Sequence, residues 1–214
     1  MPITLEDTAA GWALWELREP EESLRDRLAW TDRLRAEYRA ISHPTKRHEW
    51  LGARVVAFEL AHRADLRPTD LLKDNHGKPE WLGAASGVSL THAFPYVAAQ
   101  VGRQRAGIDL EPVRSKLAAL APRFMGADER ADLPTDLLTL AICWSAKEAV
   151  YKWYGRQGLS FRDHLRARPF KIFDNRGSLE VSVRSAERRE TLGVCFRTWP
   201  GYVLTWVEGA RLSQ

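Results

Sequence analysis

Gly107-Ile108-Asp109-Leu110-Glu111 and Trp144-Ser145-Ala146-Lys147-Glu148-Ala149-Val150-Tyr151-Lys152 are the two stretches on which the reading of this chain turns. The first predicts a short strand, and strand alternation puts Asp109 and Glu111 on one face of it. The second predicts a helix with Glu148 and Lys152 four residues apart, as neighbours on its surface. Three carboxylates and two lysines therefore come from two rigid elements. Hard divalent cations such as Mg²⁺ take oxygen ligands, commonly one or two carboxylates together with substrate phosphates. The lysines would meet the remaining phosphate charge. Taken singly, each signal is ordinary. Acids two apart on a strand often mark a solvated face, and a Glu–Lys pair at i, i+4 is usually a surface ion pair worth about 0.3–0.5 kcal/mol.

The chain has 214 residues, enough for one domain or two small ones with real cores. It is 44% hydrophobic, 28% charged and 10% aromatic, an ordinary globular composition, and its nine tryptophans are expected in core or pocket packing. A net charge of +4 suits phosphorylated small molecules or acidic partner proteins as well as nucleic acid. No dense Lys/Arg run appears, so nucleic acid is not expected as a partner; the densest cluster, residues 184–189, predicts a solvated hairpin.

Cys143 and Cys195 are the two cysteines, without CxxC or zinc-like His spacing, so reduced thiols and a cytoplasmic location are expected. Cys143 falls on the apolar face of the motif helix and reads as packing, not as a nucleophile. Residues 1–10 carry two acids and no apolar run long enough for a signal peptide. No stretch approaches the roughly 20 apolar residues of a membrane span, so no membrane association is expected.

Along the chain, residues 11–17 alternate as a strand, and residues 21–40 carry apolar positions at helical spacing. Ser42-His43-Pro44 opens a helix that runs to about residue 64. Residues 68–72 predict a helical turn or loop, and residues 74–79 a turn. Residues 87–91 and 96–102 predict two antiparallel strands, and residues 105–110 a further strand. Residues 116–124 predict a helix, residues 128–134 a helix fragment and loop, and residues 135–153 the long motif helix with Gly155 as its stop. Residues 169–173, 179–183, 193–198 and 202–208 predict an antiparallel meander. The order suggests two similar halves meeting near residues 101–106, each a helix packed on a small antiparallel sheet.

The two opening stretches resemble the signature motifs of the 4′-phosphopantetheinyl transferases, G-[IV]-D-x-E and W-[SA]-x-K-E-[AS]-x-x-K, matched in full and in order. The length and the material before the first motif resemble the Sfp-type subfamily, not the short trimeric acyl-carrier-protein synthases. Arg47-His48-Glu49-Trp50-Leu51-Gly52-Ala53-Arg54, Gly77-Lys78-Pro79 and Val88-Ser89-Leu90-Thr91-His92 are further family-like segments. Phe124-Met125-Gly126-Ala127-Asp128-Glu129 is similar to the family's F-x-x-x-E element, with the spacing longer by one. The resemblance spans residues 44–160.

The resemblance implies transfer of the phosphopantetheine arm of coenzyme A to a serine of an apo acyl, peptidyl or aryl carrier protein, leaving adenosine 3′,5′-bisphosphate. It implies that Asp109, Glu111 and Glu148 hold Mg²⁺, or Mn²⁺, against the pyrophosphate. Glu148 is the family's usual candidate for general base, directly or through a water; a metal-bound carboxylate is a weak base, which leaves the proton's destination open. Lys152 would stabilise pyrophosphate oxygens, and Lys147 would face phosphate or solvent. Lys78, Thr91, His92, Arg114 and one or both of Arg47 and Arg54 are the further expected coenzyme A contacts. Arg123, Phe124, Met125 and Arg130 would offer an apolar and basic face to an acidic carrier helix.

The expected fold is α+β, with two pseudo-symmetric subdomains. Residues 1–104 would supply nucleotide contacts, and residues 105–214 the metal site and signature helix. Coenzyme A and the metal are expected in the cleft between them, and the protein as a monomer. Two other readings stand beside this one: a catalytically silent coenzyme A or nucleotide binder on the same fold, and a basic nucleic-acid-binding module with steeply salt-dependent affinity.

Overall fold

Short alternating stretches and one long apolar helix build the first half of the chain. In order they are β1 (Leu5–Asp7), β2 (Trp12–Glu16), α1 (Glu21–Arg25), α2 (Asp32–Ala40), α3 (Pro44–Arg63), β3 (Asp70–Lys73), β4 (Pro79–Leu82), β5 (Gly87–Ala93) and β6 (Tyr96–Gly102). The structure is a computed structural model, and it describes residues 4–185 and 189–208. Its packing divides the chain into two units, one running to Ala106 and the other spanning Gly107–Glu208.

In the first unit, α3 starts with Pro44 at its first position, where a missing N–H costs no hydrogen bond. Leu51, Val55, Phe58 and their neighbours bury the helix against β2, β5 and β6. The six strands run β1-β2-β6-β5-β4-β3, and every pairing is antiparallel.

Two expectations change here. The single helix over residues 21–40 is two helices. Thr31 caps the second by accepting from the Leu34 N–H at 3.2 Å, while its hydroxyl donates to Asp70. The Trp30 indole N–H donates to the Arg25 carbonyl at 2.8 Å and so satisfies the end of α1. The loop or turn expected at residues 68–72 is largely strand: β3 pairs with β4 and sets Leu71 opposite the buried Trp81.

The second unit holds β7 (Ile108–Pro112), α4 (Lys116–Phe124), α5 (Ala127–Asp132), α6 (Leu137–Tyr154), β8 (Leu165–Ala167), β9 (Arg176–Arg184), β10 (Arg189–Trp199) and β11 (Tyr202–Val207). Its strands run β7-β11-β10-β9-β8, again all antiparallel. Helix α6 packs on this sheet. Asp136 caps its start by accepting from the Leu138 and Thr139 N–H groups, and Gly155 ends it in the left-handed conformation at φ 71°.

The strand expected at residues 169–173 is displaced to β8. Phe173 instead exchanges backbone hydrogen bonds with Arg176 across a two-residue turn, with Asp174 and Asn175 at φ 50° and 60°. The hairpin expected at residues 184–189 is flanked by the paired Arg184 and Arg189, and residues 186–188 of it lie outside the described residues. Each unit is a long helix on an antiparallel sheet, the α+β class that the sequence predicts. Among the described residues, no helix is long and apolar enough to cross a membrane.

Candidate active site

Helix α6 is buried along most of its length, but Trp144, Glu148, Tyr151, Lys152 and Trp153 stay half-buried. Residues 144, 148 and 152 recur at helical spacing, so one stripe carries the polar chemistry while the rest of the helix makes core. Strand β7 lies against this helix. Ser145 on α6 donates to the Asp109 carbonyl at 3.3 Å and shares a 2.9 Å hydrogen bond with Thr205, which stands opposite Asp109 on β11. Gly107 makes the closest approach: a Cβ there would stand 2.2 Å from the Ala149 carbonyl oxygen and 2.7 Å from the Trp153 Cβ. The glycine that opens the motif is thus a packing requirement for bringing β7 onto α6.

On that scaffold β7 carries Asp109 and Glu111 and the α6 stripe carries Glu148 and Lys152. Lys152 Nζ donates to Asp109 Oδ1 at 2.7 Å and to the Ile108 carbonyl at 3.1 Å. The Trp144 indole N–H donates to Glu111 Oε1 at 3.0 Å. Burial, then the nearby Asp109 charge, raises the Glu111 carboxyl above its ordinary range. Burial pushes Glu148 up to about 7, with Asp109 and Glu111 adding to the rise and Lys152 opposing it. Like-charged oxygens crowded in a partly desolvated site are costly unless a cation shares them.

The donor set fits a hard divalent cation in kind, because it offers carboxylate oxygen alone. Its placement is not that of a closed metal centre: among the described residues, no three His, Cys, Asp or Glu side chains are grouped closely enough to hold one ion. The local cause is visible, since Asp109 is drawn to Lys152 and Glu111 to Trp144.

Lys147 corrects the sequence reading. It faces neither phosphate nor solvent, and its side chain is 0% exposed. Its ammonium shares its three N–H groups among four oxygens, the Phe124, Phe161 and Leu165 carbonyls at 2.6, 3.0 and 2.8 Å and Glu129 Oε2 at 2.6 Å. Glu129 in turn accepts from the Ala167 and Gly126 N–H groups. Burial lowers the Lys147 pKa, and Glu129 opposes the shift. This pair ties α6 to α5, β8 and the connection before β8. It accounts for the Phe124–Glu129 element as structure: one residue at its start supplies a carbonyl and the residue at its end a carboxylate.

Phe124 and Met125 are likewise buried, so they offer no apolar docking face; Arg123 and Arg130 are exposed. Cys143 is buried and its thiol is pushed up to about 12, chiefly by burial, as suits packing and not nucleophilic work.

Arg114, just past β7, is exposed, and its charge acts on Glu111. The first-unit residues sit in three places. Lys78 is half-buried in a turn in which Gly77 adopts φ 82°, and burial followed by the Arg105 charge lowers its pKa. Thr91 and His92 end β5, with Thr91 buried and the His92 side chain 42% exposed. Arg47 lies over the Tyr38 ring, and Arg54 stacks on Trp50 at 3.7 Å. Arg54 is also paired with Glu37 at 3.1 Å and is buried, which lowers its pKa to about 10. Of the two arginines, Arg47 keeps the more exposed head; Arg54 is committed to the helix packing.

Two participants escape the sequence reading. Trp144 is quoted in the motif, but its hydrogen bond to Glu111 is not foreseen; the signal is its position one turn before Glu148. Glu49, inside the Arg47–Arg54 segment, is buried and bonded to the His92 end of β5. A charged residue on the buried side of an apolar helix is the sign that would have found it.

Helix α6 and strand β7 thus present three carboxylates, two of them raised by burial and by neighbouring carboxylates, beside one lysine. The comparisons give that arrangement a family. The profile described as 4′-phosphopantetheinyl transferase superfamily matches residues 105–207, and the one described as 4′-phosphopantetheinyl transferase N-terminal domain matches residues 35–102. The chain belongs to the 4′-phosphopantetheinyl transferase superfamily.

Among curated proteins it is similar to the enterobactin synthase component D of Salmonella typhimurium, at 34% identity over 127 residues, which is 56% of this chain and 51% of that protein. It is also similar to the enterobactin synthase component D of Salmonella typhi, at 32% identity over 127 residues with the same shares of both chains. The chain spans about half the length of the curated relatives it matches.

Proposed function

We propose that this protein transfers the 4′-phosphopantetheine arm of coenzyme A to a serine hydroxyl of an apo carrier protein and releases adenosine 3′,5′-bisphosphate. The observation that carries the reading is the coupled set of Asp109, Glu111, Glu148 and Lys152 on β7 and α6, within a chain of this superfamily. In the reaction the serine oxygen bonds to the phosphorus that bears the pantetheine arm. The bond from that phosphorus to the oxygen of the nucleotide phosphate breaks, and the serine proton passes to a base. Glu148, directly or through a water, is the candidate to accept it; once it holds the metal its carboxylate is a weaker base than the metal-free group.

Asp109, Glu111 and Glu148 would hold Mg²⁺, with Mn²⁺ as the alternative. The ion would supply charge neutralisation at the leaving phosphate. Lys152 would move from Asp109 to the pyrophosphate oxygens as the substrate arrives, a fixed positive charge beside the developing negative one. Lys78, His92, Arg47 and Arg114 are the further candidate phosphate contacts. The acceptor is an acyl, peptidyl or aryl carrier protein; the similar Salmonella proteins are by name components of an enterobactin synthase, which supports a carrier of that synthesis as one acceptor. A cytoplasmic, monomeric protein completes the proposal.

The competing reading is a silent coenzyme A binder. A Glu148→Gln variant separates them. It should retain coenzyme A binding by calorimetry while the wild type alone modifies an apo carrier. Equal transfer by both proteins would overturn the role of Glu148, and binding without transfer by either would favour the silent binder.

A further inference from the structure

Glu49 is a carboxylate on the buried face of α3, with its side chain 3% exposed. Its two oxygens are divided between three partners. Oε1 accepts from the Phe94 N–H at 2.9 Å, in the turn that follows β5. Oε2 lies 2.8 Å from Lys46 Nζ and 3.2 Å from His92 Nδ1. Burial alone would raise the Glu49 carboxyl, but the Lys46 hydrogen bond, the His92 charge and the Phe94 N–H hold it below its ordinary range. It is therefore an ionised acceptor at neutral pH. An acceptor beside Nδ1 requires that nitrogen to carry its proton.

We propose that Glu49 is a positioning residue for coenzyme A: it fixes the His92 ring through Nδ1–H and so directs Nε2, on the opposite side of the ring, toward a phosphate oxygen. With Nδ1 protonated, Nε2 donates to phosphate only when the ring is charged. The neighbouring carboxylate favours that charged ring. Glu49 thus orients the imidazole, much as a carboxylate orients a histidine metal ligand from behind. Lys46 shares the same oxygen and limits how far the carboxylate can follow the ring. The Phe94 N–H anchors the other oxygen and fixes where the carboxylate stands.

The inference rests on the reading that the protein binds coenzyme A, and the test keeps the two apart. Coenzyme A affinity is measured by calorimetry with Mg²⁺ for the wild type, Glu49→Gln, His92→Ala and the double variant. Glutamine keeps an oxygen for the Phe94 N–H and removes the charge. Glu49→Gln should weaken binding about tenfold, the scale of one hydrogen bond to a charged group, and should add almost nothing in the His92→Ala background. Nitrogen-15 NMR of the wild type should show His92 protonated at Nδ1, with the Nε2 signal moving on addition of coenzyme A. Losses that simply add, or a free-protein His92 with its proton on Nε2 alone, would overturn the inference and leave the functional reading standing. Failure of the wild type to bind coenzyme A would overturn both.

Discussion

Lys152 Nζ stands 2.7 Å from Asp109 Oδ1, so the last charged residue of the helix motif and the first acid of the strand motif form one ion pair. Asp109 is buried while Lys152 keeps part of its surface, which makes the lysine the mobile partner. The pair holds two charges ready that a metal and a phosphate would each take up. Lys152→Met removes the cation and leaves a buried carboxylate behind. Transfer should fall on the order of 100-fold or more, and stability should fall by about 1–3 kcal/mol. Steady-state kinetics and urea unfolding read the two effects separately.

The Glu148 carboxyl has its native pKa raised to about 7 from the ordinary carboxylate value. A raised acid means the folded state holds the proton more tightly than the unfolded chain. Its stabilising contribution is full below the unfolded pKa and is lost as pH rises through about 7. The metal-free protein should therefore lose stability between about pH 5 and 7.5, and Glu148→Gln should flatten that part of the profile. Mg²⁺ competes with the proton, so its apparent affinity should rise across the same window. Thermal melts over a pH series, with and without Mg²⁺, check both signs.

Lys147 and Glu129 are a fully buried pair whose remaining hydrogen bonds are made with backbone. Removing one partner leaves an uncompensated charge in the interior. Lys147→Ala should destabilise the fold by about 3–5 kcal/mol. Replacing both partners with apolar residues should recover part of the loss, and denaturant unfolding of the single and double variants measures the coupling.

Gly107→Ala places a methyl group against the Ala149 carbonyl oxygen at a separation no relaxed structure tolerates. Either β7 or α6 must shift. The expected cost is about 1–3 kcal/mol, together with slower transfer, because the strand carries Asp109 and Glu111 and the helix carries Glu148. A normal melting temperature with normal activity would show that the contact relaxes freely.

Much of this architecture is written locally. Pro44 and Gly155 mark helix ends, and strand alternation pairs Asp109 with Glu111 on one face of β7. The motif spacing alone places Glu148 and Lys152 side by side. What stays hidden depends on partners far along the chain. Strand β3 exists because Asp70–Lys73 finds β4, and neither stretch alternates clearly enough to announce a strand. Lys147 looks like any helix-surface lysine until Glu129 and three carbonyls surround it. Arg47 and Arg54 share one helix face by spacing, and that spacing does not show that Arg54 is buried on the Trp50 ring and paired with Glu37. In each case tertiary pairing decides between readings that the local pattern leaves equal.

The most direct measurement is the intact mass of a panel of apo carrier proteins after incubation with this protein, coenzyme A and Mg²⁺. The account predicts a gain of one phosphopantetheine arm on the carrier serine, lost on chelation of the metal and absent with Glu148→Gln. No mass gain on any carrier, with coenzyme A bound and Mg²⁺ present, would contradict it.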